Sequence, residues 1–189
     1  VRPENIADFS GRIYKEANRL GNLVADIIQL SRLDEQQDAV VSMESVELDE
    51  LAKDVVNNLR DHAEKKNISL DYCGIPINIQ GVRHVLYEML YNIADNAVRY
   101  TNPGGHIHIY VGRKGDRPFY RVEDDGIGIP KSEQKRIFER FYRVDKSHSR
   151  QTGGTGLGLS IVKHGATLHH AQINVDSDLG KGTKMELLF

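Results

Sequence analysis

Apolar side chains recur with a seven-residue period over residues 4–33, which predicts a long helix. Seven of its eight seam positions are apolar, the a positions being Ile6, Ile13, Leu20 and Ile27 and the d positions Phe9, Glu16, Leu23 and Leu30. A seam of this kind needs a partner to cover it. The helix either packs on its own domain or, in the interpretation we prefer, forms one limb of an intermolecular helical bundle.

The pattern changes after the polar run 34–38, which predicts a hinge. The predicted strands then cover residues 40–43, 68–72, 75–79, 106–111, 118–123, 172–177 and 183–189. The predicted helices cover residues 49–66, 83–100, 132–138 and 156–168. This mixture favours an α+β fold, a two-layer α/β sandwich with a mixed sheet and helices on one face, preceded by the long N-terminal helix. We expect two domains, residues 1–38 and residues 39–189.

Composition and charge exclude several function classes. The 189 residues include 25 basic and 27 acidic side chains, which gives a net charge of −2. This charge balance does not indicate binding to nucleic acid or to an anionic membrane. The single cysteine, Cys73, excludes an internal disulfide and fits a reducing compartment. The sequence has no run of about 18 apolar residues and no signal peptide. Because it begins at valine, we expect a piece of a longer protein.

The predicted helix 83–100 carries an unusual polar face. Its members are spaced by four, four and three residues and therefore share one side of the helix: Glu88, Asn92, Asn96 and Arg99. An amide oxygen is a hard, neutral ligand for Mg²⁺, and a guanidinium pairs well with phosphate oxygens. Taken alone, however, two helical asparagines more often act as caps or bond to a neighbouring loop.

Three glycine-containing segments follow this helix. In VEDDGIGIP, residues 122–130, Asp124 ends a strand and can accept from an exocyclic amine, although a simple tight turn explains the segment equally well. GGTGLGLSIVKH, residues 153–164, has the free N–H groups of a helix start, which suit phosphates. The basic residues upstream of it are Arg143, Lys146, His148 and Arg150. GKGT, residues 180–183, lies at a hairpin turn, and most such turns are only turns.

Taken together and in this order, the four segments resemble the catalytic and ATP-binding domain of two-component sensor histidine kinases. The wider group also holds gyrase B, Hsp90 and MutL ATPases. YNIADNAVRYT resembles the N box, DDGIGIP the G1 box, IFERFYR the F box, GGTGLGLSIVK the G2 box and GKGT the last glycine motif. The resemblance spans residues 46–189. Because the leading helix resembles the second helix of the family's dimerisation domain, residues 1–38 would be an incomplete dimerisation hairpin and residues 39–189 the kinase domain.

The resemblance implies a pocket for ATP and Mg²⁺. Asn96 would coordinate the metal, Asn92 would orient the phosphates as the catalytic residue, and Asp124 would bond the adenine amine. The other residues expected to bind the nucleotide are Arg99, Tyr100, Gly126, Gly128, Ile129, Arg143, Lys146, Gly154, Thr155, Gly156, Leu157, Gly158 and Thr183. Residues 131–156 would form a lid that Phe138 and Phe141 latch to the core.

One position separates a kinase from a hydrolase. Hydrolytic members of the group resemble one another in a glutamate four residues before the metal-binding asparagine, where it acts as the base that activates water. This chain has Asn92 there, and an amide takes no proton at neutral pH. Glu88, one turn further back, is expected to lie out of reach. Imidazole is itself a nucleophile and needs no base in this pocket.

The sequence departs from the family pattern at three points. None of its eight histidines has the setting of the phosphoacceptor, which the family carries on the first dimerisation helix. His148 stands in the lid, where arginine is frequent. Val82 stands at a helix start where an aspartate often caps, so we expect another group to cap that helix.

The leading hypothesis is a histidine kinase fragment that transfers the γ-phosphoryl group of ATP to the phosphoacceptor helix of its own parent protein. The phosphoryl group would then pass to a response-regulator receiver domain. The resemblance also implies a homodimeric parent and the cytoplasmic portion of a membrane-anchored bacterial sensor. The alternatives are a stand-alone ATPase, which rapid hydrolysis would favour, and a non-catalytic nucleotide-sensing module, which tight binding without transfer would favour.

Overall fold

The computed structural model describes residues 42–144 and 155–189, together with positions 9–11, 13, 14, 16, 17, 20, 21, 24 and 28. Those early positions are helical, as the seven-residue period predicts. Three apolar residues of the predicted seam are described and exposed in the single chain, namely Phe9, Ile13 and Leu20. The remaining apolar seam residues, Ile6, Leu23, Ile27 and Leu30, lie outside the described residues. The intermolecular bundle therefore stays a prediction.

From residue 44 onward the elements follow the predicted order. The strands are β1 (Glu44–Glu47), β2 (Ser69–Gly74), β3 (Asn78–Gly81), β4 (His106–Lys114), β5 (Arg117–Asp124), β6 (Gln172–Ser177) and β7 (Thr183–Leu188). The helices are α1 (Leu48–Lys65), α2 (Arg83–Tyr100) and α3 (Gly158–Leu168). The helix predicted over 132–138 was wrong in type, since those residues form turns and one 3₁₀ turn, Arg136–Phe138. Among the described residues no helix is long and apolar enough to cross a membrane.

Five strands form one mixed sheet in the order β2-β4-β5-β7-β6. Strand β2 runs parallel to β4, and the other neighbouring pairs are antiparallel. The predicted mixed sheet is therefore confirmed. A second sheet was not predicted: β1 pairs antiparallel with β3, in register from Glu44 opposite Gly81 to Glu47 opposite Asn78. Each of these strands has only four residues, so alternation within them is a weak indicator of pairing.

The core lies between the five-stranded sheet and the helices. Alternate strand residues are buried in it, among them Ile107, Ile109, Tyr120, Val122, Met185 and Leu187. Helix α2 contributes its apolar stripe, which includes Val85, Leu86, Met89, Leu90 and Ile93. The fully buried Tyr120 satisfies its hydroxyl by donating to the Leu90 carbonyl oxygen at 3.2 Å. This packing fixes the rotation of α2 and leaves its polar face half-buried beside the core.

The residue before α2 is hydrogen-bonded to a distant part of the chain. Val82 has no side-chain cap to offer, and its N–H donates to Nε2 of His169 at 3.0 Å. The other ring nitrogen, Nδ1, lies 2.7 Å from the Gly165 carbonyl oxygen and must carry the proton. Burial lowers the pKa of His169, which favours this neutral ring. An aspartate at position 82 would instead accept from the N–H of residue 84 or 85, and no side chain among the described residues makes such a cap, so the expected substitute cap is not found there.

Candidate functional site

A cavity of about 650 Å³ opens beside the polar face of α2. Its walls come from α2, the loop after β5, residues 142–144 and 155–156, and the beginnings of α3 and β7. The predicted site residues that line it are Asn92, Asn96, Arg99, Tyr100, Asp124, Gly128, Ile129, Arg143, Thr155, Gly156, Gly158 and Thr183. Segments distant in sequence thus meet at one cavity. Two other predicted residues, Lys146 and Gly154, lie outside the described residues.

The two asparagines of α2 differ in their bonding. Asn92 donates its Nδ2 to the Glu88 carbonyl oxygen at 2.8 Å, one turn back along the helix. Its Oδ1 faces the start of α3, where a Cβ on residue 158 would lie 2.4 Å from it, so Gly158 leaves room for this orientation of Asn92. Asn96 is half-buried and makes no hydrogen bond to any residue that the structure describes. Because such amides normally find partners, the Asn96 side chain suits a ligand in the cavity.

Arg99 is paired within α2. Its Nε lies 2.5 Å from Oδ2 of Asp95, one turn earlier, and both residues line the cavity. The sequence analysis did not single out Asp95, although the i, i+4 spacing of these two residues indicates such a pair. Glu88 also lines the cavity, and the expectation that it lies out of reach stays a prediction. A phosphate bound here would share the Arg99 guanidinium with Asp95.

Asp124 places a half-buried carboxyl group at the end of β5. Its Oδ1 accepts from the N–H of Gly126 at 2.9 Å and from the N–H of Thr183 at 3.2 Å. Its Oδ2 has no hydrogen-bond partner within the described part of the chain. Burial raises the pKa of Asp124 to about 6, although the two backbone donors oppose that rise. The group is therefore an acceptor suited to an N–H donor such as an exocyclic amine.

The loop after β5 is fastened to the C-terminal end of α2. The N–H of Ile127 donates to the Tyr100 carbonyl oxygen at 3.2 Å. A Cβ on residue 126 would lie only 2.5 Å from that oxygen, so Gly126 permits the close approach. Gly126 is therefore not part of the cavity lining; it acts on the site through its bond to Asp124.

Lys66 is a further contributor that the sequence analysis missed. Its Nζ donates to three carbonyl oxygens at the end of α2, those of Val98, Arg99 and Thr101, at 2.6, 3.0 and 3.0 Å. An ammonium group at a helix C-terminus satisfies otherwise unpaired carbonyls and opposes the negative end of the helix dipole. The residue lies at the end of α1, and nothing in the local sequence indicates a partner more than 30 residues away.

The segment between the 3₁₀ turn and α3 forms the outer wall of the cavity. Phe138 packs partly buried against the core, as predicted. The predicted latch through Phe141 was wrong, because its ring is 57% exposed and only its backbone N–H holds the segment, donating to the Gly156 carbonyl oxygen at 2.9 Å. A positive φ of 64° at Phe141 accompanies this geometry. Tyr142 lines the cavity instead, with its hydroxyl hydrogen-bonded to the Glu133 carboxylate.

Leu157 is placed differently from the prediction. Its side chain is fully buried in the core, and it is not part of the cavity lining. Its backbone N–H donates to Oγ1 of Thr155 at 3.3 Å, just before α3 begins. Only the backbone of Leu157 can therefore approach a ligand. A glycine-rich motif does not distinguish a residue whose backbone lines a site from one whose side chain does.

Comparison with known proteins assigns this fold and site to a class. The family described as histidine kinase-, DNA gyrase B- and HSP90-like ATPase matches residues 81–189. The sensor-like histidine kinase SenX3 of Mycolicibacterium smegmatis is 34% identical over 186 residues, which cover 98% of this chain and 48% of that relative. This chain thus spans about half the length of the curated relatives it matches.

Two solved structures have the same fold. The mycobacterial sensor histidine kinase MprB gives a TM-score of 0.68 at 26% identity, covering 78% of this chain and 96% of that chain. Full-length ShkA in complex with AMPPNP gives a TM-score of 0.78 at 26% identity, covering 96% of this chain and 38% of that chain. This chain belongs to the histidine kinase-, DNA gyrase B- and HSP90-like ATPase family. Its curated relatives within that family are named sensor histidine kinases.

Proposed function

We propose that the chain binds ATP with Mg²⁺ and donates the γ-phosphoryl group to a histidine of a sensor histidine kinase. One observation supports the proposal: the same cavity has on one wall the amide of Asn96, which makes no hydrogen bond within the described part of the chain, and on another the half-buried acceptor Asp124. The first group suits a metal–phosphate unit and the second an aminopurine. Asn96 would hold the Mg²⁺, which would neutralise charge on the triphosphate.

The other proposed site residues form two groups, those that would contact the base and those that would contact the phosphates. Tyr100 would lie against the base, with Gly126, Gly128 and Ile129 shaping that end and Thr183 beside it. Arg99, Arg143 and Lys146 would contact phosphates. The segment Gly154, Thr155, Gly156, Leu157 and Gly158 would close around the triphosphate, where a helix start offers N–H groups.

Asn92 is proposed as the catalytic residue that orients the phosphates. Its amide is tied by Nδ2 to the Glu88 carbonyl oxygen, and an amide has no basicity to activate water. A histidine acceptor brings its own nucleophile, so positioning and charge stabilisation are what the pocket has to supply. Glu88 is one of the residues that line the cavity, which keeps an ATPase as the second candidate.

The proposed biological setting is that of a sensor histidine kinase, which the relatives' names support. A sensor histidine kinase would pass the phosphoryl group to an aspartate of a response-regulator receiver domain. The N-terminal helix would pair with its counterpart in a homodimeric parent, next to the helix that carries the phosphoacceptor. The chain would then be the cytoplasmic portion of a membrane-anchored bacterial sensor.

The proposal predicts transfer of label to a supplied acceptor. The chain is mixed with Mg²⁺, γ-labelled ATP and a separately made dimerisation hairpin from a sensor histidine kinase, and a hairpin with its histidine replaced by glutamine is the control. We expect acid-labile label on the intact hairpin only. Rapid release of inorganic phosphate without labelled hairpin would favour the ATPase, and tight ATP binding with neither product would favour a nucleotide-sensing module.

A further inference from the structure

Ser177, the last residue of β6, is the centre of a buried hydrogen-bond network behind the cavity. Its side chain is 3% exposed. Its Oγ accepts from the Ile129 N–H at 2.8 Å, donates to the Gly182 carbonyl oxygen at 2.8 Å and lies 3.0 Å from Oγ1 of Thr183. These contacts join the loop after β5 to the turn between β6 and β7. The sequence analysis did not single out this serine.

The directions of these hydrogen bonds can be worked out from the protons available. A serine hydroxyl has one proton and two lone pairs. The Ser177 hydroxyl could donate its proton to the Gly182 carbonyl oxygen, at 2.8 Å, or to Oγ1 of Thr183, at 3.0 Å. Because the carbonyl oxygen can only accept and is the nearer of the two, the proton lies on that bond. The Ile129 N–H occupies one lone pair. The remaining contact is satisfied only if Thr183 donates its proton to Ser177. Thr183, which lines the cavity, then presents lone pairs and no proton to a ligand.

A second side chain holds this network in place. Gln134 donates its Nε2 to the carbonyl oxygens of Ile129 and Ser177, at 3.1 and 2.7 Å. These bonds fix the Ile129 peptide, whose N–H faces Ser177. The Ser177 hydroxyl therefore has little freedom to turn its proton toward Thr183, because that turn would break its bond to Gly182.

The neighbouring acceptor at this end of the cavity is Asp124. Its Oδ1 accepts from two backbone N–H groups, one of them that of Thr183 itself. When ionised, the carboxylate has no proton and can only accept hydrogen bonds. Asp124 and Thr183 together present only acceptors. Such a pair can accept both protons of an exocyclic amine. It disfavours a carbonyl oxygen, because the lone pairs of that oxygen would face the lone pairs of Asp124 and Thr183.

We propose that Ser177, by fixing the direction of the Thr183 hydroxyl proton, makes this cavity select 6-aminopurine nucleotides over 6-oxopurine nucleotides. The inference rests on the proposed function and adds a positioning residue for base specificity. Ser177 does not touch the nucleotide; it acts through Thr183. Its removal would free the Thr183 hydroxyl to donate to a 6-oxo group.

The test compares dissociation constants for Mg-ATP and Mg-ITP, which differ at the purine 6-position. We expect the wild-type chain to prefer ATP, and Ser177→Ala to lower that preference by about tenfold, the size of one hydrogen bond, mostly through tighter ITP binding. Ser160→Ala is the matched control, because this buried serine also donates to a backbone oxygen, that of Leu157, but lies outside the network. It should leave the preference unchanged.

The possible results distinguish a failure of the proposed function from a failure of the inference about Ser177. Wild-type chain that binds neither nucleotide would refute the proposed function. Wild-type preference for ATP that Ser177→Ala leaves intact would overturn the role of Ser177. Should Ser177→Ala fail to fold, Thr183→Val provides the second variant: it removes the acceptor hydroxyl and should lower the preference for ATP, whereas an unchanged preference would again overturn the inference.

Discussion

At the scale of single residues, burial and ligand binding have opposite effects on the ionisation of Asp124. Burial raises its pKa to about 6, so the protein environment disfavours the charged form. Binding of an amine donor favours the charged form, which has only acceptors. The two backbone N–H groups on Oδ1 keep the carboxyl group in one orientation in either state. Nucleotide affinity should therefore depend on the ionisation of this one group.

We predict that affinity for Mg-ATP falls as the pH falls through about 6. Protonation converts Asp124 from an acceptor to a partial donor, and the loss should reach about tenfold near pH 5 for a single linked proton. Titrations of the wild-type chain and Asp124→Asn across the same pH range would measure it. The variant should bind weakly throughout and show only the pH dependence of the nucleotide itself. Parallel curves for the two proteins would contradict the assignment.

Residue identities in the site could be predicted only where the chemistry is local. Asn96 and Asp124 were found because a helical face and a strand end can be recognised from spacing. Lys66 was missed because its partners lie more than 30 residues away in sequence. Ser177 was missed because the bond that links it to the loop after β5 joins it to Ile129, 48 residues away. The side-chain directions of Phe141 and Leu157 were missed because a motif specifies which residues are present and not which way each one points.

At the scale of elements, α2 is the part that positions the site, and its C-terminal end is unusually well secured. The Ala97 carbonyl oxygen receives the Thr101 N–H, and the Tyr100 carbonyl oxygen receives the Ile127 N–H. The ammonium of Lys66 bonds the carbonyl oxygens of Val98, Arg99 and Thr101. These bonds oppose fraying of the helix end, and the loop that follows Asp124 is docked directly on it.

We predict that Lys66→Met weakens Mg-ATP binding about threefold to tenfold and lowers the free energy of unfolding by about 1–2 kcal/mol, because three carbonyls lose their donor. Affinity is measured well below the unfolding temperature, where a purely structural role would leave it unchanged. Lys65→Met is the control, since this exposed lysine ends the same helix. Lost stability with wild-type affinity would show that Lys66 supports the fold alone.

The elements themselves were largely predictable from periodicity. The expected helix over 83–100 coincides with α2, and the expected strand over 172–177 coincides with β6. Their partners were less predictable, because pairing is decided by contacts between distant segments. Neither the parallel pairing of β2 with β4 nor the small β1–β3 sheet has a local indicator in the sequence. The 3₁₀ turn Arg136–Phe138 was predicted as part of a longer helix, although its two apolar residues, Ile137 and Phe138, are adjacent and give no helical periodicity.

At the scale of the whole molecule, one cavity depends on segments from residue 88 to residue 185. The sheet supplies Asp124 and Thr183, and the helical layer supplies the amides and Arg99. The division into residues 1–38 and 39–189 stays a prediction, as does pairing through the N-terminal seam. Since the chain spans about half of its curated relatives, its partners in a phosphorelay are proposals that rest on those relatives.

The most direct test of the account is a titration with AMPPNP, in the presence and in the absence of Mg²⁺, of the wild type, Asn96→Ala and Asn57→Ala. Asn57 is an exposed helical asparagine on α1 and serves as the matched control. We predict Mg²⁺-dependent binding by the wild type and by Asn57→Ala, and a loss of about tenfold or more in Asn96→Ala with its fold intact. Equal affinity in all three proteins, or binding indifferent to Mg²⁺, would contradict the central claim that the Asn96 amide holds the metal of a bound nucleotide.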